Sequence, residues 1–411
     1  MRKQLMAKGS MPFLSFLCCL AYFTSYLTRL NYAACLIEIQ DALHIGKSQA
    51  SLPVMGCFLV YGAGQLVCGF FGDRLMPHKI IFAGLAGTAV CNLLVVMFPD
   101  IIAITWLWCA NGFFQSMLWP PLVRIMAEML DEVWYRRCSV LVSFSSSFGT
   151  IAIYVLAPLC LPAWGWKSMF LLPSAAGFLT AFYWIYNTRG LKWISRASVG
   201  LSDCFDNDKG NGLSGMFRAA PLLPVMFVIA LHGVLKDGIT TWMPAYMADT
   251  FRMSTELSIL TTAALPVFSI ASTLLASLLF YRIKDELCTA SVLFAVALVS
   301  GIVMFLVNGK YPLGCIGLMM VITGCMFGVN LMLISRMPRH FARFGMVSTI
   351  SGILNAATYI GSALATYGFG WIAESNGWSN VIGIWIASSA DAILLLLCSI
   401  RQWKNFVRMN D

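Results

Sequence analysis

Residues 189–219 read RGLKWISRASVGLSDCFDNDKGNGLSGMFRA, and what flanks them decides the fold. This is the only extended polar segment of the sequence. It carries Asp203, Asp206, Asp208 and Lys209 among glycines and divides the chain nearly in half. A structureless stretch of about thirty residues is more often a linker than a hidden domain. On each side lie apolar runs long enough to cross a bilayer, about 20 residues as a helix. Six precede it, at 12–37, 48–72, 78–98, 101–129, 139–163 and 167–188. Six follow it, at 220–248, 255–282, 286–308, 312–335, 346–373 and 379–401. The other connections are short, so consecutive helices are expected to pack as antiparallel neighbours.

The bulk composition agrees. Of 411 residues, 59% are hydrophobic and 11% charged, against about 45–50% and about 25% in soluble domains. So few charges cannot cover a water-facing surface, and much of the exterior must face lipid. The net charge of +9 reads as topogenic rather than nucleic-acid-binding, because the basic residues sit in the short loops. The fourteen cysteines form no C-x-x-C pair. Most lie inside apolar runs (Cys18, Cys19, Cys57, Cys68, Cys91) and serve as small apolar side chains. Arg2, Lys3 and Lys8 precede an apolar run longer than a signal-peptide core, so that run is expected to be retained as the first span.

Orientation follows from the loops. Of the 27 Lys and Arg, twenty-one fall on the side that carries the tails and the linker. Four fall opposite: Lys47, Lys167, Arg252 and Lys310. Both termini and the linker are therefore expected in the cytoplasm. The chain is read as an all-α membrane protein with a six-helix bundle at 1–188, a cytoplasmic linker at 189–219 and a second six-helix bundle at 220–411. Two bundles related by pseudosymmetry have this layout.

The two remaining cations, Arg29 and Lys236, lie inside the first and seventh spans, at corresponding positions of the repeat. A cation at mid-bilayer costs from about 2.5 kcal/mol upward. Snorkelling to the interface is the bland alternative, and Lys236 is too central for it. Asp237 is the other candidate neutraliser, but adjacent helical residues point about 100° apart, so it is not expected to pair well. Tyr22, Tyr26 and Arg29 share one helix face by their i, i+4, i+7 spacing. Tyr61 with Gln65, and Asn355 with Tyr359, repeat the i, i+4 spacing in the second and eleventh spans. Polar faces at this depth suit a cavity wall. Arg29 and Lys236 facing a shared cavity would attract an anion, with Arg suited to bidentate binding and Lys to a compact charge. Asp391 in the last span is either a proton carrier or a hydrogen-bonded bystander. The serines 143 and 145–147 before Gly149 read as close helix packing through small residues, with substrate contact at Ser146 as the alternative.

Beyond these spacings, GFFGDRLMPHK (69–79) resembles the signature of the major facilitator superfamily between its second and third helices. The resemblance implies a cytoplasmic gate at Asp73 and Arg74, with Arg124 as a partner for Asp73. GFFQSMLWPP (112–121) followed by Arg124 resembles the fourth-helix hallmark of the organophosphate:phosphate antiporters, the glycerol-3-phosphate and hexose-6-phosphate carriers. Tyr22, Tyr26, Arg29 and Asn31 match that family's first span, and Tyr61-Gly62 its second. VLKDGITTWMPAYM (234–247) matches its seventh span, with Lys236 where arginine is usual, and Tyr359 its eleventh. Three positions depart from it: Gln65 replaces a lysine, Ser146 a histidine and Gly233 a tyrosine. The site has thus lost charge, and a monoanion, a carboxylate or a differently shaped phosphate ester becomes suitable.

What these features imply is secondary active transport of a small anionic solute by alternating access, as an organophosphate/phosphate-type antiporter in the plasma membrane. Arg29, Lys236, Tyr22, Tyr26, Tyr61, Gln65, Ser146 and Tyr359 are the expected substrate residues. An empty carrier with two repelling cations should reorient poorly, which favours exchange. The alternatives are a proton-coupled symporter of a small carboxylate or other metabolite, using Asp237 or Asp391, and a transporter-like membrane sensor. No catalytic triad, nucleotide loop, metal cluster or redox motif occurs in the sequence, so neither enzyme chemistry nor a cofactor is expected. The expected partners are the solute and the bilayer, with the chain a monomer and no nucleic acid involved.

Overall fold

A computed structural model of the chain describes residues 10–71, 76–190, 220–344 and 347–408. The gate residues Asp73 and Arg74 and the linker 191–219 lie outside the described residues. All regular structure among the described residues is helical. The first eight helices are α1 (Met11–Ala34), α2 (Leu36–Leu43), α3 (Lys47–Phe71), α4 (Pro77–Met97), α5 (Ile101–Ser116), α6 (Trp119–Met129), α7 (Glu132–Trp164) and α8 (Ser168–Thr188). After the linker come α9 (Leu222–Phe251), α10 (Thr255–Thr262), α11 (Ala264–Ile283), α12 (Glu286–Val307) and α13 (Pro312–Val329). A π-helical turn (Asn330–Arg336) and a 3₁₀ segment (Met337–Phe344) lead to α14 (Val347–Asn376) and α15 (Trp378–Arg408).

Eleven helices among the described residues are long and apolar enough to cross a membrane. They match eleven of the expected spans, to within a few residues except at the start of the fifth and the end of the last. The remaining expected span is α14, which has 30 residues but is diluted by Ser351, Asn355, Thr358, Tyr359, Ser362 and Thr366. Its length is ample, since about 20 residues suffice; its polarity marks it as an inner helix.

Two expected spans are broken. The fourth divides into α5 and α6 at Met117–Leu118, just before Pro120 and Pro121, and the eighth into α10 and α11 at Ala263, just before Pro266. Each proline lacks the N–H that would bond to the carbonyl four residues back. At the ends, helices outrun the apolar runs. α7 begins at Glu132, where the Asp131 carboxylate accepts from the Trp134 N–H at 2.7 Å. α15 runs on to Arg408. Apolarity marks membrane thickness, whereas caps and propensity set helix length.

By packing, the chain divides into two compact units, Met1–Ala197 with Ser254–Pro266 and Ser198–Met253 with Val267–Asp411. In the first, α1 packs on α7 and α8, α3 on α5, α4 on α8, and α10 on α7. Its apolar core joins Leu14, Leu17 and Cys18 of α1 to Ile81 and Leu85 of α4, Leu122 and Ile125 of α6, Cys138 and Val142 of α7, and Trp184 of α8. In the second, α9 packs on α14 and α15, and α12 on α13 and α15.

Candidate functional site

In the first unit, Tyr22, Tyr26 and Arg29 stand on one face of α1. The Arg29 guanidinium carbon lies 4.6 Å from the centre of the Tyr26 ring and 5.3 Å from that of Tyr61 on α3. Tyr22 meets Tyr26 edge-on, with ring centres 5.3 Å apart, and packs against Trp119 of α6 at 4.9 Å. Gln65, one turn beyond Tyr61, donates to the Tyr61 hydroxyl at 2.7 Å. Five expected residues thus form one cluster around a single cation. Aromatic faces hold a guanidinium by about 0.5–2 kcal/mol. They act on its flat faces, whereas a carboxylate or phosphate binds its N–H edge.

A separate set of residues fixes α1 in place. Gln115, from the span-four hallmark, is buried and donates to the Ser25 carbonyl at 3.0 Å and the Thr28 hydroxyl at 2.9 Å. Asn111 donates to the Thr28 carbonyl at 3.1 Å. Asn31 donates to Asn92 of α4 at 2.6 Å and to the Met169 carbonyl of α8 at 2.8 Å, and Asn92 donates in turn to the Thr28 carbonyl at 3.1 Å. With no water to take their place inside a bilayer, such buried amides must find protein partners. Asn31, matched from the family resemblance, is therefore a strut between helices.

Ser146 belongs to α7, and its hydroxyl donates to the Ser143 carbonyl at 2.7 Å. Ser143 and Ser145 bond to their own helix in the same way. Gly149, one turn on, brings α7 against Phe23 and Tyr26 of α1. Arg124 is half-buried on α6, and its expected partner Asp73 lies outside the described residues.

In the second unit the structure overturns one expectation. The Lys236 ammonium lies 3.4 Å from Asp237 Oδ1, so these neighbours do pair. A divergence of 100° separates their Cβ atoms, but the four-carbon lysine stem is long enough to fold back across it. The other Asp237 oxygen, Oδ2, accepts from Ser362 Oγ of α14 at 2.6 Å. Lys236 also lies 5.9 Å from the centre of the Phe327 ring of α13. Both members of the pair are largely but not fully buried, 17% and 18% exposed. Lys236 therefore has a counter-charge in Asp237, contrary to the picture of two uncompensated cations.

Tyr359 lies one turn before Ser362 on the same face of α14 and is half-buried. Asp391, the other candidate proton carrier, is exposed on α15 with Leu394. His232 and Ser362 escaped the sequence reading. His232 is fully buried one turn before Lys236, and neither ring nitrogen makes a sound hydrogen bond. Their spacings, i−4 from Lys236 and i+3 from Tyr359, were the available signals.

The Gly233 departure has a packing cause. A Cβ at Gly233 would collide with the Thr358 carbonyl of α14, and one at Gly361 with the Ala230 carbonyl of α9. The two backbones cross on this glycine pair, which leaves no room for a tyrosine at 233.

Comparison with known proteins supplies the wider context. Residues 18–366 match the Major Facilitator Superfamily. A probable hexose phosphate transport protein of Chlamydia trachomatis is 22% identical, over 93% of this chain and 89% of its own. The glycerol-3-phosphate transporter of Bacillus subtilis is 23% identical, over 92% and 89%. Among solved structures, a bacterial homologue of the human lysosomal transporter Spinster superposes with a TM-score of 0.74 at 12% identity, covering 98% of both chains. That last likeness concerns the fold.

Proposed function

Because this chain belongs to the Major Facilitator Superfamily, and is a membrane transporter rather than an enzyme, we propose that it exchanges small phosphorylated or carboxylated anions by alternating access. The observation that carries this reading is Arg29 set among Tyr26 and Tyr61 within a membrane span. A mid-membrane cation is a functional site by default. Here the Tyr26 and Tyr61 rings orient it, at 4.6 Å and 5.3 Å from their centres. Arg29 is the anion-binding cation of the first unit and Lys236 that of the second. Tyr22, Tyr26, Tyr61 and Gln65 orient Arg29, and Tyr359 lines the Lys236 side. Asp73, Arg74 and Arg124 form the cytoplasmic gate, both termini are cytoplasmic, and the linker 189–219 joins two six-helix halves in the plasma membrane. The related hexose phosphate and glycerol-3-phosphate transporters support a phosphate ester as the solute. The loss of the lysine and histidine expected at Gln65 and Ser146 favours a less highly charged one.

Purified protein in liposomes loaded with inorganic phosphate tests the reading. Labelled phosphate should exchange in, and Arg29→Ala and Lys236→Ala should each abolish exchange. Intact exchange in both variants would remove the two-cation site. Uptake driven by a pH gradient into liposomes without internal anion would favour proton symport instead, with Asp237, held inside the unit, a better placed carrier than exposed Asp391.

A further inference from the structure

We infer that Asp237 is a built-in surrogate for the transported anion: a tethered carboxylate that holds Lys236 when the site is empty and that the substrate must displace. The inference rests on the anion-carrier reading above and adds a specificity-determining residue to it.

Three observations carry it. First, Lys236 and Asp237 stand at ion-pair distance, 3.4 Å between Nζ and Oδ1. Second, the carboxylate is anchored from a different helix: Ser362 Oγ donates to Oδ2 at 2.6 Å while Oδ1 faces the ammonium. Adjacent residues on a helix do not face each other, so this pairing needs an outside hold, and Ser362 provides it. Third, the backbones of α9 and α14 are locked together at the Gly233–Thr358 approach, within one turn of the pair, and at the Gly361–Ala230 approach, about two turns from it. The anchor therefore cannot drift away from the lysine.

The chemistry follows from charge balance. A lysine with no counter-charge at this depth is costly, and a carboxylate beside it offsets that cost. An incoming phosphate or carboxylate competes for the same three N–H donors. Lys236 can turn to it on its flexible stem, whereas Asp237 stays on Ser362. Two consequences arise. Affinity for the substrate is lowered by the work of displacing Asp237. Return of the unloaded carrier, a minor route beside exchange, is eased, because the second unit keeps a counter-charge beside its cation.

The test is phosphate binding by isothermal titration to the full-length protein in nanodiscs, paired with transport in liposomes. Asp237→Asn keeps the shape and the ability to bond Ser362 but removes the charge. It should tighten inorganic phosphate binding by tenfold or more. It should lower net efflux into phosphate-free medium at least fivefold relative to phosphate–phosphate exchange. Asp237→Glu, which keeps the charge, should restore wild-type affinity and net efflux to within about threefold. Ser362→Ala should tighten phosphate binding by a smaller factor than Asp237→Asn. A purely structural aspartate would lose binding and exchange together, and that result, or an unchanged affinity in Asp237→Asn, overturns the inference. The Lys236→Ala variant separates the two levels. Abolished phosphate binding in Lys236→Ala beside an unchanged Asp237→Asn rejects the surrogate and leaves the anion carrier standing. Undiminished binding in Lys236→Ala rejects both.

Discussion

Gly361 of α14 lies so close to the Ala230 carbonyl of α9 that a single added methyl group would overlap it. Gly233 makes the reciprocal approach to the Thr358 carbonyl. This crossing sets the distance between the helix that carries Lys236 and Asp237 and the helix that carries Ser362 and Tyr359.

Gly361→Ala should therefore destabilise the protein despite its better helix propensity. Alanine gains up to about 1 kcal/mol in a helix over glycine. Overpacking against a rigid carbonyl costs about 1–3 kcal/mol, and backbone cannot step aside as a side chain can. Thermal unfolding in detergent should show a lowered Tm for Gly361→Ala and for Gly233→Ala. Wild-type Tm values in both would mean that the helices separate freely.

Arg29 offers a graded series. Arg29→Lys keeps the charge but loses the flat fork and its stacking, so phosphate affinity should fall by about tenfold or more. Tyr61→Ala removes one of the rings and should weaken binding by about 2- to 30-fold, the range set by a cation–π contact. Tyr61→Phe retains the ring, loses the hydroxyl that accepts from Gln65, and should stay within about threefold of wild type. Equal losses in Tyr61→Phe and Tyr61→Ala would assign the effect to the hydroxyl and not to the ring.

Asn92 tests the amide network. Asn92→Ala removes the acceptor for Asn31 and a donor to the Thr28 carbonyl. Polar contacts between membrane helices are worth about 0.6–2 kcal/mol, and a stranded buried amide adds to the loss. The variant should unfold at lower temperature while phosphate affinity, measured below that temperature, changes little. A large affinity loss with unchanged Tm would place Asn92 at the site.

Ser146 is expected to be silent. Its hydroxyl is bonded to its own helix at the Ser143 carbonyl. Ser146→Ala should leave phosphate exchange within about twofold of wild type, measured as initial rates in liposomes. A tenfold loss would show that the hydroxyl turns to the substrate during the cycle.

The helical architecture was legible because lipid makes it so. A spanning segment must be apolar for about 20 residues and satisfy its backbone internally, so membrane helices show up as runs in one dimension. Periodicity likewise placed Tyr22, Tyr26 and Arg29 on one face, since 3.6 residues per turn is a local property. Helix ends and breaks were less legible: α7 starts at Glu132, ahead of its apolar run, on the Asp131 cap, and α15 continues to Arg408 past its own.

What only tertiary structure decided is which polar groups meet. Asp237 was expected to point away from Lys236, and along a rigid stick it would. A flexible lysine stem and a serine 125 positions away, on another helix, reverse that outcome. Asn31 was matched to the family's first span, but its work as a strut could not be read there, because its partners, Asn92 and the Met169 carbonyl, come from α4 and α8. Residue spacing specifies direction within one helix, but contact between helices depends on how closely two backbones approach, and here glycines 233 and 361 set that approach.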